Sequence, residues 1–240
     1  MVSFIIGDVF LQDGVVVGSP RLGGITFILG GLLAILGNIL HPRGEMGELG
    51  ALSRDTEAQL IVNNLGAWYP SHVALTLSVP LLLLGYVSLY FVLLNKGQQS
   101  FSTAALVALG LGQILLLVAI ALDGFLTPIL AQNYQASTGA AKEIAGATLD
   151  YNFLLSLILL APGFLSLTAG IGLFATSLLK AKLFNQGFAG VGVALGLIGV
   201  GGYLGGLFGP YWVLSSTFAP FALAFTIWGV VAGIFLYRAP

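Results

Sequence analysis

The run "STAALVALGLGQILLLVAIALDGF", Ser102–Phe125, decides the fold. Its 24 residues carry no charge before Asp123. As a helix rising about 1.5 Å per residue it reaches about 36 Å, enough for a hydrocarbon core of about 30 Å. The run is apolar all round, without the two-residue alternation of a membrane barrel strand. Lipid offers the backbone no hydrogen bonds, so the segment must satisfy its own groups as a helix. Five further stretches read the same way: Leu22–His41, Pro70–Leu94, Tyr151–Leu179, Phe188–Phe208 and Phe218–Tyr237. An all-α, polytopic bundle of six spans follows, with both termini on one side.

Composition agrees. Hydrophobic residues make up 58% of the 240 and charged ones 7%, where a soluble domain carries about a quarter. So few charges cannot coat a water-exposed surface, and the lipid bilayer is the expected outer solvent. A net charge of −1 speaks against nucleic acid as a partner. Without cysteine there is no disulfide, thiolate-bound zinc or iron–sulfur cluster. No glycine-rich loop leads to a Lys-Ser/Thr pair, so no nucleotide is expected. No polar segment is long enough to bury a core of its own, so residues 1–240 read as one domain. The first residues lack a positive region, so a cleaved leader is not expected.

Lys and Arg set the orientation. Arg21, Lys96, Lys180, Lys182 and Arg238 fall on the side of the termini, and Arg43, Arg54 and Lys142 on the other. The bias in the short loops favours cytoplasmic termini. The long connections Pro42–Tyr69 and Leu126–Asp150 then lie outside, as segments resting at the interface. Ser53 is placed to cap a helical turn in the first. Trp68, Tyr69, Tyr134, Tyr151, Tyr211 and Trp212 gather near that face, as an aromatic belt would.

The outer face also collects the ionisable groups. His41 in "GNILHPRG" precedes Pro42, which disfavours helix in the preceding residue and so ends span one. Pro70 in "WYPSH" suits a first helical turn, so His72 opens span two. Asp123 leaves span three at the same level, and Asn152 enters span four there. An acid in an apolar run is costly and expects a partner, for which histidine is the natural choice. Asn38 lies near one turn before His41 and Thr76 one turn after His72, so they can join the cluster.

Four readings of this corner remain open. The groups can be structural, a terminal histidine bonding free carbonyls and a His–Asp pair joining spans. His41, His72 and Asp123 can ligate a metal such as zinc or non-haem iron. The two histidines can hold a haem between antiparallel helices. Asp123 and a histidine can exchange protons within a small-ligand pocket. No GxSxG elbow supports a serine nucleophile.

Span five is crowded with glycine. Gly192 and Gly196 form a GxxxG pair, as do Gly202–Gly206 and Gly205–Gly209. Such faces admit a close helix, either within the bundle or from a partner helix, a lipid or a pigment ring. Pro80 and Pro162 interrupt spans two and four, and Gln113 in span three should find a partner across the bundle.

"LHP" closing span one, "WYPSH" opening span two and the Asp123–Gly124 pair closing span three resemble a group of small bacterial membrane proteins with no assigned activity. The resemblance covers spans one to three. It implies a bacterial inner membrane and marks His41, His72 and Asp123 as the residues of interest. The expected role is a small-ligand-binding or accessory membrane protein. The alternatives are a metal- or haem-dependent membrane enzyme or redox protein, or a proton-coupled transporter.

Overall fold

The computed structural model describes residues 19–42, 53–208 and 211–239, with side chains left aside at 206–208 and 211–220. Described residues outside the helices lie only in caps and short turns, and the bundle is all-α. Helix α1 is Pro20–Leu40, α2 is Arg54–Asn63 and α3 is Leu65–Leu94. Helix α4, Gln99–Ala121, passes through a π-helical turn, Leu122–Leu126, into α5, Thr127–Ala136. Helices α6, α7 and α8 are Gly139–Ala181, Gln186–Phe208 and Tyr211–Arg238. Six helices, with α4 to α5 taken as one, are long and apolar enough to cross a membrane, and the chain is an integral membrane protein.

These six close into a ring in chain order: α1 packs on α3, α3 on α4, α4 on α6, α6 on α7, α7 on α8, and α8 back on α1. Aromatic rings fill the middle. Tyr86 meets Phe27 edge-on at 4.8 Å and stacks on Phe174 at 6.0 Å, all three buried. Glycines set the close approaches, and α1 uses them most. A Cβ on Gly23 would collide with Ser88 of α3, and one on Gly24 with the backbone of Gly233 and Tyr237 in α8. Gly30 and Gly31 repeat the pair seven residues on, facing α3 and α8 respectively. Seven residues make about two turns, so both faces recur and α1 wedges between its neighbours.

Span five follows its expectation in part. A Cβ on Gly192 would meet Trp228 and Ala175, and one on Gly196 would lie 2.5 Å from Gly172 of α6. Those positions are used up inside the bundle. Gly205 meets nothing within 4 Å. Gly202 is half-buried; the surroundings of Gly206, and Gly209 altogether, lie outside the described residues.

The outer connections are helical where they are described. Residues 126–150 continue the flanking helices on either side of a two-residue turn. The α4–α5 rod runs 38 residues and α6 runs 43, or about 57 and 65 Å, well beyond an apolar core of about 30 Å. They stand up as a hairpin joined through Ser137 and Thr138, and α2 leans on it. Ala58, Ile61, Trp68, Ala131, Tyr134 and Leu149 bury one another there, forming a small second core. Ion pairs clamp its rim. Arg54 donates from Nε to both carboxylate oxygens of Asp150, at 3.0 and 3.1 Å, and Lys142 donates to Asp55 at 2.9 Å. Ser53 caps α2 as expected, accepting from the Thr56 amide. The ion pairs link residues nearly a hundred positions apart, which no local pattern reveals.

Helix α3 also starts earlier than its proline suggests. Only Asn64 separates it from α2, and Pro70 lies inside the helix rather than in its first turn. His72 is therefore carried into the interior.

Candidate metal centre

The site is built on the π turn. There the Thr127 N–H reaches back five residues to the Leu122 carbonyl. By the same register the Asp123 carbonyl would accept from residue 128, but that residue is proline and has no N–H. The orphaned carbonyl takes the indole N–H of Trp68 instead, at 3.2 Å. This bond ties the first turns of α3 to the bulge of the neighbouring rod. Gly124 makes the approach possible, because a Cβ there would lie 2.5 Å from the His72 side chain.

His41, His72 and Asp123 come together, each offering one ligand atom within 4.8 Å of the others. His72 Nε2 lies 3.0 Å from Asp123 Oδ2, and His41 Nε2 lies 3.9 Å from the same oxygen. The outer nitrogens are committed elsewhere. His72 Nδ1 is 2.8 Å from the Trp68 carbonyl oxygen, and His41 Nδ1 is 3.0 Å from that of Pro42. A carbonyl oxygen only accepts, so each Nδ1 carries the proton and donates it. In its neutral form each ring then points the lone pair of Nε2 at a carboxylate oxygen. Lone pairs facing a carboxylate repel unless a positive centre sits between them, either a proton or a metal ion.

The surroundings hold this arrangement. The Trp68 ring stacks on His72 at 4.9 Å and lies 4.9 Å from His41, and the two histidine rings are also 4.9 Å apart. Ser71 donates to the Trp68 carbonyl as well, at 2.7 Å. The His72 side chain is 2% exposed, whereas His41 and Asp123 keep 29% and 31%, so the centre is reached from their side. Above it, burial pushes the Glu57 carboxyl upward, reinforced by the charges of Asp123 and Asp150. Hydrogen bonds from Lys142 and then Tyr134 hold Asp55 below the usual carboxylate range.

The other expected members stand nearby in different roles. Asn152 donates to the Thr127 hydroxyl at 2.8 Å, and that hydroxyl donates to the Leu122 carbonyl, so Asn152 braces the π turn from α6. Asn38 donates to the Ala34 carbonyl of its own helix. Thr76 Oγ1 is buried without a partner. Trp68, expected in an aromatic belt, is 5% exposed and central to the site. Its signal was the four-residue step to His72, hidden by starting the helix at Pro70. Tyr134 is likewise buried and donates to Asp55 at 3.0 Å.

The donor set discriminates between cofactors. Axial imidazoles of a haem stand on opposite sides of the iron with the macrocycle between them. Rings 4.9 Å apart, with Trp68 against both, leave no such slot. A single ion fits better. Zinc bonds of about 2.0–2.2 Å put tetrahedral ligand atoms about 3.3 Å apart. His72 and Asp123 are already near that spacing, and His41, at the C-cap of α1, would have to move inward from a ligand set that now spans 4.8 Å. Two histidines and a carboxylate suit zinc or non-haem iron. No protein-family model, curated protein or solved structure matches the chain.

Proposed function

We propose that this membrane protein binds a divalent transition metal, zinc or non-haem iron, through His41, His72 and Asp123. One observation carries the reading. Both imidazoles give Nδ1–H to a backbone carbonyl and turn Nε2 to one carboxylate oxygen. Metal-bound histidines characteristically donate their other N–H in this way, which fixes tautomer and ring orientation. Three protein ligands leave a coordination position for water or a small molecule, as in zinc sites that bind or transform a ligand. The bias of Lys and Arg toward the side of the termini supports a cytoplasmic location for both termini, and with it a centre on the outer face of the membrane, which we take to be a bacterial inner membrane.

A second reading has one observation in its favour. A proton alone can join His72 Nε2 to Asp123 Oδ2 at 3.0 Å, as in a proton-coupled carrier. Zinc titration of chelator-treated protein, followed by elemental analysis after desalting, separates the two. Retention of about one ion per chain is expected from a single three-ligand site. His72→Ala and Asp123→Ala should each weaken binding beyond the roughly 10–100-fold that loss of an outer partner costs. Protein that retains no zinc, iron or related ion, or affinities that ignore both substitutions, would refute the metal centre.

A further inference from the structure

Charge is sorted along the bundle. All the acids among the described residues, Asp55, Glu57, Asp123, Glu143 and Asp150, lie at the end that holds His41 and His72. The described cations of that end are engaged, Arg54 by Asp150 and Glu143, and Lys142 by Asp55. The opposite end, where α1 begins and α8 closes, carries Arg21, Lys96, Lys180, Lys182 and Arg238, all exposed. No acid stands there among the described residues, so within them these cations have no ion partner. Lys180 is nonetheless held in place. From the last turn of α6 its ammonium lies 3.8 Å from the centre of the Phe101 ring, in the first turn of α4. Lys96 sits in the short turn that leads from α3 into the same end of α4. A ring positions a cation without neutralising it, and leaves its charge available to an anion.

What lies beside these two lysines selects the anion. Beyond Phe101 the outer face of α4 presents Ala104, Val107, Leu111 and Ile114, every third or fourth residue and all exposed. Gln113, whose amide oxygen finds no partner across the bundle, contrary to expectation, is 3% exposed and adds nothing polar to this strip. From Phe101 to Leu111 the helix rises about 15 Å, the depth of one leaflet of an apolar core of about 30 Å. A soluble phosphate would use the lysines but not the strip. A lipid with a choline or ethanolamine headgroup would use the strip, yet bring a cation to an end without a described acid. A lipid whose phosphate keeps a net negative charge uses both. Each lysine beside such lipid is worth about fivefold in affinity. We propose that Lys96 and Lys180 hold the phosphate of an anionic phospholipid, with an acyl chain laid along the Phe101–Ile114 strip of α4. The site lies at the opposite end of the bundle from His41, His72 and Asp123, and does not depend on the metal reading.

Native mass spectrometry of the full chain in detergent, counting bound lipid, tests this with dioleoyl phosphatidylglycerol, dioleoyl phosphatidylcholine and, as a soluble anion, glycerol 3-phosphate. Phosphatidylglycerol should bind about 5–25-fold more tightly than phosphatidylcholine, the worth of one to two lysines. Glycerol 3-phosphate at equal concentration should not displace it. Lys96→Gln and Lys180→Gln should each cut the preference about fivefold. Phe101→Leu keeps the charge but releases the ammonium, and should cut it about two- to fivefold. Arg238→Gln removes the same charge from α8, which packs chiefly on α1 and α7, and should leave the preference unchanged. All four side chains are exposed, so the substitutions leave the fold in place. Equal affinity for the two lipids overturns the proposal. Displacement by glycerol 3-phosphate overturns it in favour of a soluble phosphate. The same loss from Arg238→Gln as from Lys180→Gln overturns it in favour of a diffuse charge on the whole rim.

Discussion

Trp68→Phe isolates the bond that holds the π turn. Phenylalanine keeps a ring against His72, where the indole stacks at 4.9 Å, and removes only the N–H that reaches the Asp123 carbonyl at 3.2 Å. That carbonyl has no alternative donor within the rod, because Thr127 is bonded to Leu122 and Pro128 has no N–H. An acceptor left bare costs about 1–3 kcal/mol in soluble proteins, and hydrogen bonds in membrane bundles are worth about 0.6–1.7. A loss of about 1–2 kcal/mol is therefore expected. For a chain of this size each kcal/mol moves Tm by about 2–4 °C.

Pro128→Ala turns this into a test of cause. Alanine returns an N–H at the position whose π-register acceptor is the Asp123 carbonyl. In that background Trp68→Phe should cost less, with a coupling of about 0.5 kcal/mol or more. The assay is a double-mutant cycle read by circular dichroism melting in detergent, which does not depend on tryptophan fluorescence. The same loss in both backgrounds would refute the account of an orphaned carbonyl rescued by the indole.

Gly196→Ala should destabilise the bundle by about 1–3 kcal/mol through overpacking against Gly172, whereas Gly201→Ala, with open space around it, should be neutral or gain up to about 1 kcal/mol from helix propensity; equal effects in thermal melts would count against the α6–α7 contact. In chelator, Glu57 binds its proton more tightly in the fold than in the unfolded chain, so its contribution is full below pH 4.5 and declines as pH rises from there through its folded pKa; Glu57→Gln should flatten that part of the stability profile. Asp55 has the opposite sign, its stabilisation being present above 3.8 and lost as pH falls through its lowered pKa; Lys142→Met should remove most of that acid-side loss. Reporter fusions after Lys96 and Lys182 should read cytoplasmic and one at Ser53 exterior, and a reversal of all three would invert the orientation.

The spans were legible because hydropathy over some twenty residues is a strong signal that needs no partner. The corner was legible for a related reason. The proline after His41 fixed it at a helix end, the proline before His72 set its level in the bundle though not its place in the helix, and Asp123 stood out in an uncharged run. Trp68 was not, because Pro70 reads as a helix start and the structure runs the helix through it from Leu65. The π turn was not, since Asp123 and Pro128 become meaningful only once a five-residue hydrogen-bond register is known. The outer cap was hidden more deeply. Its core draws on Ile61, Ala131 and Leu149, each apolar but sparse in its own segment. Span five is the glycine-dense helix, yet the evenly spaced Gly23, Gly24, Gly30 and Gly31 of α1 press as closely, and on two neighbours at once. Spacing by two turns mattered more than density.

Charge balance ties the cap to the centre. Asp123 contributes an acid at the junction of bundle and cap, and Glu57 brings a second close enough to feel it, with Asp150 adding to the repulsion. Arg54 and Lys142 are already engaged by Asp150 and Asp55, and so leave the negative potential around Asp123 largely in place. The two Nε2 lone pairs point into that same potential. A proton on His72 would supply one positive charge and answer one carboxylate. A divalent ion would supply two, would face all three ligand atoms at once, and would offset the repulsion that adds to the effect of burial on Glu57. On the proposed reading, the cap would make the centre a better host for a dication than the three ligands alone, and Glu57 would be a titratable carboxylate placed to sense whether the ion is bound.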